Sequence, residues 1–510
     1  MQRPLCLHWP VHRIRKSGYV FYIELENRNF TQPVSDSTAP HQILGSPAAP
    51  FINALVTPGN PFAKEVSFAT QYHHVLSTSG NPLAPHPSEP NYLWQEAGTN
   101  FGRLDDDDPY GNGQSVAKIA AFLAANPTTN PQHLTGLLEE ARISWHSYQE
   151  DTNLMNTAGG NFNQGGTITN TPETDLDKMT VPLSSFSGTA PTYTNLYNGA
   201  HQYNFACKHD GTLFFEDTNG GDDPTTNNKL KKHHLPLQQL QHDLDHNSVA
   251  RYNLITPNQY NDMHSALNTP FTYHGVTYTG DLSQIAVGDN FLSIIVPKIM
   301  ASKAYKDNGI IVIWTDETEG TNQNDFTHCL TEIIISPLAK GNAYSNIKDY
   351  THSSDLNTLQ RIYQVAANTP TGFLNDTANP ALDGTTDLSD LLRAGVIPSR
   401  IPTVKVSSGR LEVNVRAQTA IQSIKVTNAL KTVISGPIYV AFDDLTPGVT
   451  LQNQTGVTAN TDPANSPYVL ALPAGATLAP GTGISILLQF TDPGAGKIDY
   501  TARPITQTAP

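Results

Sequence analysis

Cysteine, tryptophan and methionine are scarce in this chain of 510 residues, at three, four and five. The three cysteines (Cys6, Cys207 and Cys329) close at most one bridge, and no C-x-x-C pair occurs. A disulfide framework and a cysteine-held metal finger are therefore excluded, and the thiols read as buried or idle. Cationic side chains are also short: 30 Lys and Arg face 45 Asp and Glu, for a formal charge of −15. A field of that sign repels nucleic-acid backbones and argues against a nucleic-acid partner. No apolar run approaches the ~18 residues of a membrane-spanning helix. Residues 1–17 hold basic residues but lack the apolar stretch of an export signal, which makes this N-terminal segment atypical.

Apolar residues make up 38% of the chain and charged residues 15%, a balance that suits packed cores and not disorder. Single cores stop growing near ~250–300 residues, so two domains are expected. The 36 glycines and 37 prolines demand many turns and long loops. Gly18–Leu25 is a short apolar and aromatic run of the kind that sits inside a sheet. A Pro/Gly/Ser/Thr-rich stretch follows to about residue 114 and reads as loop. Ser115–Leu123 then has helical spacing behind a Ser N-cap. Ala141–Tyr148, Tyr203–Lys208 and Arg251–Thr256 read as strands. Phe291–Tyr305 reads as a helix, Ile310–Thr315 and Thr331–Ser336 as buried strands, and Asp355–Val365 as a helix. This alternation predicts an α/β domain, residues 18–398, whose mostly parallel sheet is sandwiched by helices. From 399 to 510 the period becomes two, with Pro/Gly turns and no helical pattern, which predicts an all-β sandwich with an accessory role.

In an open parallel sheet ligands bind beyond the carboxyl ends of the strands. Glu26 and Asn27 follow the first run, Asp316 and Glu317 follow IIVIWT, and Asp262 and His264 lie just after RYNLIT. If these meet at one edge, so many carboxylates call for a cation. Oxygen ligands suit Ca²⁺, Mg²⁺ or Mn²⁺, and added imidazoles let Zn²⁺ or Fe compete. The same residues are equally compatible with polar strand ends facing water. Ser88 stands in a Pro-bounded turn before a helix, with Asn91 close behind. Alone it reads as a plain N-cap; beside a metal its hydroxyl becomes a nucleophile. His209, His264 and His352 gain meaning only if they share that edge. Asp105–Asp108 reads as a solvated loop.

Seven segments in one order carry a resemblance: LENRNF (25–30), HPSEPNYL (86–93), SWHSYQED (144–151), KHD (208–210), ITPNQYNDMH (255–264), TDE (315–317) and YTHSSDL (350–356). Over residues 18–370 the chain resembles the bacterial and fungal phosphoesterases that include acid phosphatases and phospholipases C, a family similar to a branch of the alkaline phosphatase superfamily. HPSEPNY also looks like the TFPN segment around the nucleophile of nucleotide pyrophosphatases. The resemblance implies an alkaline phosphatase-like fold and one divalent metal held by Glu26, Asn27, Asp316, Glu317 and Ser88, with Ser88 also the nucleophile. It implies Asn91 and His209 on the phosphoryl oxygens with Lys208 beside them. His264 would protonate or orient the leaving group, supported by Asp262, and His352 would stand at the substrate or one layer behind. Two-metal members carry an Asp-His pair where this chain has Asp316-Glu317.

The expected activity is a metal-dependent, acid phosphatase-like phosphomonoesterase working through a phosphoserine. Phospholipase C action on lipid head groups is the alternative. A non-catalytic surface or adhesion protein and a glycoside hydrolase using paired carboxylates are readings of other classes. The partner implied is a small phosphate ester or a phospholipid. Family members usually carry an export signal, so the resemblance implies a secreted or periplasmic protein, although no signal is visible here.

Overall fold

The computed structural model describes residues 18–36, 40–75, 86–101, 106–109, 132–154, 185–219, 230–319, 327–367, 369, 372–377, 387–398, 404–430, 433–459, 464–491 and 498–506. The helix expected at Ser115–Leu123 lies outside these residues. The chain divides into two compact units, Met1–Tyr363 with Pro380–Pro398, and Gln364–Asn379 with Ser399–Pro510.

The first unit is built from β1 (Val20–Leu25), α1 (Pro50–Leu55), β2 (Val66–His73), α2 (Glu89–Ala97), α3 (Leu134–Ala141), β3 (Trp145–Gln149), β4 (His234–Pro236), α4 (Gln238–His246), β5 (Tyr252–Thr256), α5 (Gly280–Ala301), β6 (Ile310–Thr315), β7 (Glu332–Ile335), β8 (Tyr344–Thr351) and α6 (His352–Tyr363). The strands form one eight-stranded sheet in the order β8-β2-β7-β6-β1-β5-β3-β4. Five neighbours, β6-β1-β5-β3-β4, run parallel. β7 runs antiparallel to both β6 and β2, and β8 pairs parallel with β2. The α/β architecture with a largely parallel sheet is thus present.

Every residue of β1 and β6 is buried, as their unbroken apolar runs require in a sheet covered on both faces. Alternation sends Phe21, Ile23, Leu25, Ile311 and Ile313 to one face, where they pack with Ile52 of α1 and with Leu292, Ile295 and Ile299 of α5. Tyr22 and Trp314 take the other face with α2 and α6. The register pairs Leu25 with Thr315 and Ile23 with Ile255, so three strands end together. The residues after them are thereby made neighbours.

Several expected elements are corrected. The stretch before residue 114, expected as loop apart from a helix after Ser88, also contains α1 and β2; the helix after Ser88 is α2. Ser67, Thr70 and Gln71 break the apolar run of β2, although its partners bury most of it. The expected strand Ala141–Tyr148 is the end of α3 followed by β3. The expected strand Tyr203–Lys208 is a strand at Gln202–Phe205 and a 3-10 turn at Cys207–His209. α5 begins eleven residues before the expected start, because Asp281, Gly288 and Asp289 interrupt its apolar pattern. Those interruptions have uses. Buried Asp289 accepts from the N–H groups of Phe51 and Ile52 at 2.9 and 2.8 Å and so caps α1, which has no side-chain cap of its own.

The second unit contains two four-stranded antiparallel sheets. Val404, Ile424, Val426 and Leu488 of one share an apolar core with Ile438, Val440 and Phe442 of the other. No helix among the described residues is long and apolar enough to cross a membrane. Cys207 and Cys329 are buried.

Gly288 is where α5 meets the loop after β5. A Cβ there would stand 2.3 Å from Met263 Cγ. Ala is the better helix former by ~1 kcal/mol, yet Gly288→Ala should lower stability by about 1–3 kcal/mol through overpacking. A urea midpoint at or above that of the wild type would contradict this.

Candidate active site

Two backbone bonds join the ends of β1 and β6. Asn27 N–H donates to Asp316 Oδ1 at 3.0 Å, and Asp316 N–H donates to Leu25 O at 3.2 Å. Asn27 takes a φ of 42°, in the left-handed region that Asn tolerates better than most residues. Glu26, Asp316 and Glu317 follow these ends, each no more than 2% exposed.

α2 brings Ser88 to them. Ser88 has helical backbone angles, and its hydroxyl makes no capping bond. The oxygen lies instead 3.1 Å from Glu26 Oε2 and 3.2 Å from Glu317 Oε1, and its one proton serves either. The plain N-cap role is therefore ruled out for this side chain. Asn91 Nδ2 donates to Glu317 Oε2 at 3.0 Å. Tyr92 OH donates to Glu26 Oε1 at 2.6 Å, and its ring stacks on His209 at 4.9 Å between centroids. His209 Nε2 lies 3.1 Å from Glu26 Oε1, off the line of a hydrogen bond.

The loop after β5 completes the wall. Glu26 N–H donates to Asp262 O at 2.8 Å. Asp262 Oδ1 accepts the His264 N–H at 2.8 Å, and its Oδ2 lies 3.9 Å from His209 Nδ1. The His264 and His209 rings are 6.4 Å apart. Lys208 is ion-paired with Asp106, which also lies 3.4 Å from the Glu89 N–H at the start of α2. Part of the Asp105–Asp108 run is therefore an ion-pair partner at this site and not simply a solvated loop.

His352 is placed differently from its expected substrate-binding role. It is fully buried, and both ring nitrogens are taken by protein groups: Nε2 lies 2.6 Å from the Asp316 carbonyl oxygen, and Nδ1 faces Trp314 and Tyr72. Neither nitrogen remains for a substrate.

Burial and mutual repulsion raise the carboxyls above their ordinary range. Burial, then Glu317, pushes Glu26 up to about 8. Burial with Glu26 and Glu317 raises Asp316 well above the usual range, and burial raises Glu317. Burial and then Glu26 raise Asp262. The imidazoles move the other way. Burial, Lys208 and His264 lower His209, and burial, Lys208 and Arg28 lower His264 to about 4. Both rings are neutral near pH 7, so His264 offers a ring N–H and not a stored proton.

Among the described residues no group of three His, Cys, Asp or Glu stands as a formed metal site. The donor set nevertheless fits a hard cation. The Asn27 amide lies 2.9 Å from Glu26 Oε2 and 3.0 Å from Glu317 Oε1. In the ligand-free chain only its nitrogen can face those oxygens; around a cation its oxygen can. Asp316 Oδ2 is buried with no hydrogen-bond partner. Carboxylate, carboxamide and hydroxyl oxygens without a thiolate suit Ca²⁺, Mg²⁺ or Mn²⁺.

The sequence reading missed several contributors. His86 Nδ1 lies 2.9 Å from Glu317 Oε1. Tyr92, one turn beyond Ser88, holds Glu26. Buried Arg28 donates to Met263 O at 3.1 and 3.0 Å and pairs with Asp281 and Glu319, tying the 262–264 loop to α5. The SWHSYQED segment also acquires a place. Glu150 accepts from Asn195, Asn258 N–H and Asn261, and Asp151 accepts from Tyr193, Asn204 N–H and Asn258. Each of these residues stands within two positions of a strand end or motif residue, the only hint that spacing offered.

Glu26 supplies a pH test. In chelator the folded chain keeps its proton up to about pH 8, whereas the unfolded chain releases it near 4.5. The folded state binds more protons between these values, so this group lowers stability as pH rises through that window. Glu26→Gln should make the fall in thermal midpoint from about pH 5 to about pH 8 smaller by a few degrees. Equal falls in both proteins would mean that Glu26 does not carry a buried proton.

A family model described as Phosphoesterase family matches residues 83–366. A phosphate-repressible acid phosphatase of Penicillium chrysogenum is 22% identical over 280 residues, which are 54% of this chain and 48% of that protein. The chain thus spans about half the length of this relative. Solved structures align more loosely. A protein in the alkaline phosphatase superfamily from Vibrio parahaemolyticus has 12% identity and a TM-score of 0.36, covering 81% of this chain and 77% of its own. The lipoteichoic acid synthase LtaP of Listeria monocytogenes has 9% identity and a TM-score of 0.36, covering 81% and 85%. Overlaps that loose carry no argument about the site. The family match takes in Ser88, Asn91, Lys208, His209, Asp262, His264, Asp316, Glu317 and His352, more than half the chain in all, and the protein belongs to the phosphoesterase family.

Proposed function

We propose that this protein is a metal-dependent phosphoric ester hydrolase working through a phosphoserine at Ser88, with soluble phosphomonoesters as its substrate class. The observation that carries the reading is the Ser88 hydroxyl, withheld from helix capping and set against two buried carboxylates. The family supports the reaction class, and the Penicillium relative, named an acid phosphatase, supports the monoester.

Glu26, Asn27, Asp316, Glu317 and the Ser88 oxygen would hold a divalent cation, which when bound neutralises these carboxylates and eases loss of the hydroxyl proton. Ser88 Oγ forms the new bond to phosphorus as the bond to the leaving oxygen breaks in line. Its proton passes to one of the carboxylates beside it. The Asn91 amide would contact a phosphoryl oxygen, and the first amides of α2 and the Lys208 ammonium add positive character at that end. The His264 ring N–H faces the departing oxygen, with its backbone held by Asp262. Water then hydrolyses the phosphoserine, returning the hydroxyl. The second unit enters no step. Export to the periplasm or the medium belongs to the same proposal and rests on the family resemblance alone.

A lipid substrate would call for an apolar landing surface. In residues 31–85 the large exposed apolar side chains among the described residues are Val34 and Phe62. Two such residues do not make a patch, which favours soluble esters.

Ser88→Ala should cut hydrolysis of p-nitrophenyl phosphate by roughly a thousandfold or more, with circular dichroism unchanged. Chelation should abolish wild-type turnover, and a divalent cation should restore it. Cleavage of phosphatidylcholine alone would overturn the monoester assignment. Unchanged turnover in Ser88→Ala would remove Ser88 from the chemistry, and turnover of a glycoside with chelator present would overturn the reaction class.

A further inference from the structure

We infer that His352 and Tyr72 are positioning residues that set Asp316 from behind the sheet edge, an inference that rests on reading Asp316 as a ligand of the cation. His352 opens α6 directly after β8. The register of β8 on β2 pairs Tyr350 with Tyr72, which brings the Tyr72 hydroxyl to the same place. The His352 ring lies 4.8 Å from the Trp314 ring and 5.7 Å from the Tyr72 ring. Tyr72, Trp314, His352 and Asp316 are all fully buried.

The hydrogen bonds leave one assignment of protons. The Trp314 indole N–H can only donate, and it reaches His352 Nδ1 at 3.1 Å and the Tyr72 oxygen at 2.9 Å. His352 Nδ1 therefore holds no proton. The Tyr72 hydroxyl, 3.0 Å from Nδ1, gives its own proton to Asp355. The ring proton of His352 is then on Nε2, 2.6 Å from the Asp316 carbonyl oxygen, which can only accept. Two groups agree on this tautomer: the indole N–H at Nδ1 and the peptide carbonyl at Nε2.

The network is aimed at one peptide unit. The His352 N–H fixes the carbonyl of Asp316, Leu25 O fixes its N–H, and the Asn27 N–H fixes Oδ1. Among the described residues Oδ2 is left as the oxygen with no hydrogen-bond partner. The carbonyl that His352 holds belongs to the peptide linking Asp316 to Glu317, so both side chains start from a backbone that this ring keeps still. Apolar residues of the same volume would fill the space equally well. What they would lack is the grip on that carbonyl, and loss of such outer partners costs metal affinity.

Long-range ¹H–¹⁵N NMR of the full chain tests the tautomer without any variant: His352 should carry its proton on Nε2, and a proton on Nδ1, or on both nitrogens, overturns the inference. Calorimetry with Mn²⁺ alone tests the consequence. His352→Leu should weaken Mn²⁺ binding by roughly 10–100-fold, and His352→Gln, whose amide N–H can stand near the Nε2 position, should recover part of the loss. Should the Leu variant not fold, Tyr72→Phe, which keeps the ring and removes the hydroxyl, should still weaken Mn²⁺ binding by a few-fold. Wild-type affinity in either His352→Leu or Tyr72→Phe, or no recovery in His352→Gln, overturns the positioning role. A wild-type chain that binds no Mn²⁺ overturns both this inference and the reading of the site. Mn²⁺ binding that depends on His352, in a chain that hydrolyses no phosphate ester, overturns the proposed function alone.

Discussion

Like charge withheld from water is the constraint on which the rest of this structure depends. Glu26, Asp316 and Glu317 lie at the ends of two adjacent strands with almost no exposure. Among the described residues no Lys or Arg forms an ion pair with these three, and Lys208 is paired with Asp106. In the ligand-free chain the charge is relieved by holding protons and by collecting donors from Ser88, Asn91, Tyr92, His86 and the Asn27 amide. Such a cluster is costly unless a cation takes part in it.

The surroundings are polar but closed. Glu24, on the opposite face of β1 from the apolar core, is satisfied by Gln95 of α2 and Thr256 of β5, which ties the helix that follows Ser88 to the sheet. Glu150 and Asp151 gather donors from four asparagines and a tyrosine, and so hold the loop that carries Asp262 and His264. Glu96 accepts from Thr135 and lies 2.7 Å from His133, joining α2 to α3. Burial raises Asp355 to about 7 and raises Glu332 beside it well above the usual range, so this pair stays partly protonated in the interior. Buried polar networks of this kind give rigidity at high stakes, since each member left alone would pay the full desolvation penalty. Rigidity is what a site needs when several strands and loops must agree on one centre.

Much of the architecture was legible because it obeys one-dimensional rules. GYVFYIEL and IIVIWT are apolar without interruption, and a run buried on both faces has no other home than the middle of a parallel sheet. Strand ends then point to the edge where ligands bind, which is how Glu26, Asn27, Asp316 and Glu317 could be named together. The elements that escaped are those whose burial comes from partners and not from composition. β2 reads as polar until β7 and β8 flank it. The first half of α5 carries Asp281 and Asp289, whose charges are answered by Arg28 and by the amides of α1.

The sequence by itself determined the class of the fold, the two-part organisation and the set of oxygen-bearing residues available for chemistry, because these follow from local periodicity and from the order of motifs along the chain. Only the tertiary structure decided that Ser88 turns from its helix to Glu26 and Glu317, that Tyr92 and His86 share those carboxylates, and that His352 stands behind Asp316 with no nitrogen to spare. The reason is physical: hydrogen-bond partners 62 and 229 residues apart are chosen by strand register and helix placement, and neither distance nor direction between them is written in spacing along the chain.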